Sequence, residues 1–296
     1  MGSAPQSKHS FEYVPGFFAQ GGPESDGQMD DYMKHNFGLL ERKYETDGSG
    51  DEGLTQWQRY AKYVRELNGA SEAGTTYKVF YVGRHGEGYH NVAESKYGTK
   101  AWDDHWSKLD GDGELYWVDA HLTSTGREQA LANHDFLKRQ FSEQKMPLPE
   151  NYYSSPLYRC LQTAQLTYAN ISLPSEKPFS PLIMEMAREV MGEHTCDRRS
   201  SRSVIHDAFP DFPIEMGFSE EDELWQADHR ETHAEHDLRT RKLLDDVFEA
   251  DGEAFVSLTS HSGSIASLLR VSGHREFRVP TGGMMPVFVK ATKRTN

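Results

Sequence analysis

Hydrophobic periodicity changes character near residue 75 of the chain. Before it, one segment is strongly patterned. In "TQWQRYAKYVRELNG", Trp57, Tyr60, Ala61, Val64 and Leu67 recur at helical spacing, Thr55 and Gln58 can close a capping box, and Gly69 supplies a stop. Such a helix has an apolar face to bury, and a neighbouring core is the simplest place for it. From Thr75 onward strands and helices alternate. "TYKVFYVG" is a continuous apolar run of strand length, and "TGREQALANHDFLKRQF" is a helix with Ala130, Leu131, His134, Leu137 and Phe141 on one face and Thr125 with Glu128 as its capping box. "NYYSSP" then reads as a short strand that passes at once into the helix "LYRCLQTAQLTY". After a stretch rich in Pro, Gly and charge come the helix "LRTRKLLDDVFEA", the strand "AFVSLTSHSG", the helix "SIASLLRVSG" and a last strand "MPVFVKAT". This alternation predicts an α/β fold: a three-layer sandwich, its mainly parallel sheet flanked by helices. Residues 1–70 read as an N-terminal extension docked on a main domain over 71–296, which carries a variable lid region at about 195–237.

Composition narrows the class. With 296 residues, 36% of them hydrophobic and 26% charged, the chain can bury a large core without staples, and no apolar run approaches the length of a membrane span. The opening "MGSAPQSKHSFEYVPGFF" lacks the layout of a secretory signal, and two cysteines, Cys160 and Cys196, suit a reducing compartment. A cytoplasmic location is expected. A formal net charge of −14 argues against nucleic acid or an anionic membrane as partner, since both reward a basic face.

Ligands of an open parallel sheet collect at the carboxyl ends of its strands. Three such ends carry unusual polar residues here. "VFYVGRHGEGYHN" delivers Arg84, His85, Gly86 and Asn91; "SSPLYRCLQTA" delivers Arg159; "SLTSHSG" delivers His261. Two guanidinium forks and two imidazoles suit a phosphoryl group, and glycines beside His85 would let backbone N–H groups approach the anion. His85 would then be free to act as nucleophile.

The ordered blocks "RHGEGYHN", "LTSTGREQA", "SSPLYRCLQTA", "AREVMGEHTCDRRSS" and "TSHSG" resemble the histidine phosphatase superfamily, the phosphoglycerate mutase-like proteins, over roughly Lys78 to Phe288. The appearance is closest to the fungal phosphomutase-like branch. The resemblance implies a phosphoglycerate mutase-like fold, with His85 as the phosphorylated histidine, Arg84 and Arg159 as phosphate ligands, His261 as the second histidine and Asn91 as a further phosphate contact. It also implies a carboxylate proton donor after the third strand, for which Glu189 fits best and Glu185 competes. The expected activity is that of a metal-independent phosphatase on a small phosphorylated metabolite, needing no cofactor. A phosphomutase is the rival within the fold, and a non-catalytic anion-binding or regulatory protein the rival outside it.

Three further patterns bear on that reading. Arg188, Arg198, Arg199 and Arg202 form a basic island, and Arg198 and Arg199 are candidates to read a second anionic group on the substrate. "HRETHAEH" spaces His229, His233 and His236 near one helical face, yet nothing flanks them that would bury metal ligands, so a solvated or lid helix is the better reading. "DGDGELYWVDAH" starts like a calcium loop but puts Leu115 and His121 where the glycine and the closing glutamate belong.

Overall fold

The computed structural model describes residues 7–25, 27, 35–171, 178–250 and 252–294. Strands β1 (His9–Tyr13), β2 (Thr75–Arg84), β3 (Asn151–Ser154), β4 (Leu182–Ile183), β5 (Phe255–Ser260) and β6 (Met284–Lys293) join one sheet in the order β1-β6-β2-β5-β3-β4. β2, β5, β3 and β4 run parallel; β6 is antiparallel to both β2 and β1. The last strand therefore closes the sheet in reverse.

Helices α1 (Gln56–Ala70), α2 (Tyr89–Tyr97), α3 (Thr99–Asp104), α4 (Ser124–Ser142), α5 (Tyr158–Tyr168), α6 (Arg202–Ala208), α7 (His233–Ala250) and α8 (Ser262–Ser272) complete the layers. Alternation along β2 sends Phe80 and Val82 to one face, where Leu243, Leu244 and Val247 of α7 and Ile265, Leu268 and Leu269 of α8 meet them. Val79 and Tyr81 go to the other, against Trp57, Tyr60 and Val64 of α1 and Phe136 and Leu137 of α4. β5, covered on both sides, is buried along its whole length, as its unbroken apolar and hydroxyl sequence requires.

Residues before 75 take part in these layers. The Thr55–Gln58 capping box forms, and Trp57 and Tyr60 are fully buried, a burial worth about 1.5–3 kcal/mol for each side chain. β1 was not foreseen: His9 to Tyr13 pair with Lys293 to Val289 at the sheet edge. The start of α4 also differs from expectation. Thr123, not Thr125, is the N-cap, accepting a hydrogen bond from Gly126 N–H, and the buried stripe runs through Ala130, Asn133, Phe136 and Leu137 while Leu131 is half exposed.

Register carries the functional loops together. Arg84 lies opposite Ser260 across β2 and β5, so His85 and His261 leave the sheet side by side. Ser154 lies opposite Thr259 and Ile183, which brings the start of α5 and the segment after β4 to the same edge.

Candidate active site

A cavity of about 260 Å³ opens at that edge, and its wall includes Arg84, His85, Asn91, Arg159 and Glu189. Chain segments as far apart as Arg84 and Gly263 thus meet where the parallel strands end.

His85 is 2% exposed, and its Nδ1 lies 2.7 Å from the carbonyl oxygen of Gly86. A carbonyl only accepts, so Nδ1 carries the proton and Nε2 keeps its lone pair. Burial, followed by the nearby Arg159 and Arg84, pushes the imidazole well below its ordinary value and keeps it neutral. Both features favour nucleophilic attack. The glycines serve this loop by allowing close packing: a Cβ on Gly86 would meet Gly126 O at 2.3 Å. Their N–H groups do not point at an anion, because Thr163 Oγ1 takes that of Gly86 and Asn91 Oδ1 takes that of Gly88.

Arg159 stands in the first turn of α5 and is 1% exposed. It donates to Cys196 O at 2.7 Å and to Asp197 Oδ1 at 2.9 Å, which leaves Nε buried without a partner. Burial opposes its charge, but Asp197 leads the interactions that outweigh burial, so the guanidinium stays ionised. Arg84 donates to Val279 O at 3.0 Å and likewise has an unpartnered buried Nε. One buried and one half-buried cation, each with an unspent Nε, flank one neutral imidazole. Across from them Glu189 accepts from Val190 N–H at 2.9 Å and, at the start of α8, from Gly263 N–H at 3.0 Å and Ser262 Oγ at 3.3 Å.

The structure separates the remaining candidates from the cavity. Glu185 lies outside it, locked between Arg188 at 2.7 Å and Arg199 at 3.0 Å. Arg199 spends its guanidinium there and on the backbone carbonyls of Ser200, Ser219, Glu220 and Glu221, so it clasps a loop and has nothing left for a substrate. Arg198 points to Asp110 at 3.4 Å and covers the Trp225 ring. His261 is fully buried; its Nε2 is bonded to Ser155 Oγ at 2.8 Å, and its ring meets His85 edge-on at 5.1 Å instead of lining the cavity. The three spaced histidines diverge as well: His229 precedes α7 and pairs with Glu235, whereas His236 is buried against Ser264.

Residues 111–278 match the family model for the histidine phosphatase superfamily (branch 1). The chain belongs to the histidine phosphatase superfamily. The matched span includes Arg159, Glu189 and His261 and begins after Arg84 and His85. Over 289 residues the chain is 47% identical to a protein of Arthroderma benhamiae described as "Probable phosphoglycerate mutase", covering 97% of this chain and 86% of that one. A Saccharomyces cerevisiae protein of the same description is 38% identical over 74% of this chain and 80% of its own length. Among solved structures, the α-ribazole phosphatase of Shigella flexneri is similar, with a TM-score of 0.41 and 19% identity, over 73% of this chain and 95% of that one.

In this superfamily member the cavity also holds residues that sequence reasoning missed. His90 is buried, 5.3 Å from His85 between ring centroids, and burial followed by Arg159 pushes it well below its ordinary value. Its signal was in plain view, one position before Asn91 in the same block. Asp197 and Arg230 gave none, because their pairing spans 33 residues: Asp197 bridges Arg159 and Arg230, its Oδ2 accepting from Arg230 Nη1 at 2.8 Å.

Among the described residues His194, Cys196 and Asp197 form the one group whose ligand atoms could surround a metal ion. They fit one poorly. Both oxygens of Asp197 are already taken by guanidinium groups, and burial, followed by Asp197, pushes the Cys196 thiol well above its ordinary value. A cation entering there would meet two resident positive charges.

Proposed function

We propose that the chain is a metal-independent phosphatase acting on a small phosphorylated metabolite through a phosphohistidine at His85. The observation that carries this is a neutral, buried imidazole with a free Nε2 between two arginines that still hold unspent donors. Arg84 and Arg159 bind the phosphoryl oxygens and stabilise the charge that spreads over them in a loose transition state, the task a metal would otherwise perform. His85 Nε2 attacks phosphorus in line; the ester P–O bond breaks, and Glu189 delivers a proton to the leaving oxygen. Water then takes the place of the alcohol, Glu189 accepts its proton, the N–P bond breaks and phosphate leaves. Asn91 borders this centre, and His261 packs against the His85 ring and fixes it. With both cysteines free and buried, a reducing cytoplasm is the compartment that suits the chain.

Transfer to a second hydroxyl is the other reading, favoured by the mutase descriptions of the relatives. Hydrolysis is preferred because neither of the consecutive Arg198 and Arg199, which could have held the far end of a returning intermediate, lines the cavity: Arg199 is spent on Glu185 and backbone carbonyls, and Arg198 lies outside beside Asp110. Phosphate release from a panel of small esters, with chelator present, decides. Release by wild type and none by His85→Ala supports the phosphatase. Undiminished release by His85→Ala, or isomerised ester without free phosphate, overturns it.

A further inference from the structure

We infer that Arg230 forms a second anion subsite beside the phosphoryl site, suited to a short phosphate ester whose far end carries a carboxylate or a second phosphate. This rests on the reading above for where the first anion sits. Arg230 lines the cavity with a side chain 28% exposed. Its Nη1 is fully used, donating at 2.8 Å to Val190 O, Gly192 O and Asp197 Oδ2. Nε and Nη2 form no bond with any described residue, so one edge of the fork is anchored and the other is open to a ligand.

Asp197 sets the spacing. Its two oxygens hold Arg159 at 2.9 Å and Arg230 at 2.8 Å, so a single carboxylate separates the two guanidinium groups. Burial works against ionising Asp197, but Arg230 and Arg159 outweigh it and hold its carboxyl below the usual range. Its charge is thereby spent between the two cations. At about 260 Å³ the cavity falls below the roughly 300–1,000 Å³ of pockets for drug-sized ligands, which confines the substrate to a compact metabolite. Exposed Asp103 and half-buried Glu94 also line the cavity and disfavour longer polyanions. The second anion is therefore read beside Arg159, by a residue some thirty positions beyond the "RR" pair.

The test uses two non-hydrolysable probes of similar length, ethylphosphonate and phosphonoacetate, titrated calorimetrically into wild type and Arg230→Gln. Wild type is expected to bind phosphonoacetate about 10- to 100-fold more tightly than ethylphosphonate, the range for a charge-assisted contact. Arg230→Gln should erase that preference, so that the two probes bind alike, while Arg230→Lys, keeping the charge, should retain part of it. Equal binding of both probes by wild type, or an equal loss of both in Arg230→Gln, would overturn the subsite and leave Arg230 as a clasp for Asp197. Failure of both probes to bind wild type would remove the phosphoryl site and the subsite with it. Because neither probe has an ester bond, the result is independent of whether His85→Ala abolishes turnover.

Discussion

Glu185 and Glu189, four residues apart, have opposite surroundings. Glu185 is shared by two buried arginines; Glu189 is held by α8 donors and faces the cavity. Glu185→Gln should therefore cost about 3–5 kcal/mol of stability by leaving buried guanidinium charge uncompensated, with activity per folded molecule largely kept. Glu189→Gln should do the reverse, lowering kcat about 10²- to 10⁴-fold with an unchanged urea midpoint. Parallel denaturation and kinetics on both variants check the contrast. His90 allows a second test. Its Nδ1 is buried without a partner, which leaves Nε2 as the ring nitrogen that can contact a ligand in the cavity. His90→Phe, which keeps the ring, should lower kcat/KM about tenfold or more on esters that wild type turns over; wild-type kinetics would rule the contact out. At this scale Arg84, His85 and Arg159 could be placed from sequence, because each follows a patterned strand, whereas Glu189 rested on the family resemblance and only geometry separates it from Glu185. Arg199 and Arg230 could not, since only long-range pairing decides which of two exposed-looking arginines turns inward.

Helix starts do much of the positioning. Gly263 opens the first turn of α8, where a Cβ would meet Glu189 Oε1 at 2.0 Å, so the helix and the carboxylate can approach only because that side chain is missing. Gly263→Ala should displace Glu189 and reduce kcat much as Glu189→Gln does, with far-UV dichroism and melting close to wild type; full activity would show that the carboxylate position is not critical. α1 makes the complementary case. Trp57→Ala should cost about 3–5 kcal/mol, because the ring is wholly buried against the sheet layer that carries Val79 and Tyr81. The helix and its cap were readable from periodicity. β1 was readable too, for Phe11 and Tyr13 alternate with Ser10 and Glu12 ahead of the Pro15–Gly16 turn, but five residues are a weak signal next to a fifteen-residue helix. The displaced face of α4 has another cause: Asn133 counts as polar in a pattern, yet it is buried donating to Gly282 O at 2.7 Å.

Across the whole molecule, buried histidines set the response to acid. His85, His90, His236 and His261 all have values depressed first by burial and then by neighbouring arginines, and His236 is pushed down to about 2. Unfolded, each would bind a proton near pH 6.5; folded, each refuses it. The unfolded state therefore holds more protons below that pH, and stability must fall as pH drops, by up to about 1.4 kcal/mol per pH unit for each withheld proton. Against a total of about 5–15 kcal/mol, a few such groups suffice to unfold the chain in mild acid. Carboxylates held low by arginines, such as Asp197 and Asp222, add to the loss only below their ordinary value of 3.8, so the histidine window comes first. His236 isolates the effect because it lies outside the cavity, bonded to Ser264 Oγ at 3.4 Å with its Nδ1 unpartnered. His236→Gln keeps a polar side chain and removes one titrating site. Urea unfolding between pH 7.5 and 5.0 should show the variant's stability falling less steeply than wild type, by about one proton's worth of slope, or 1.4 kcal/mol per pH unit. An unchanged slope would locate the acid sensitivity in the other buried histidines, His85, His90 and His261 among them.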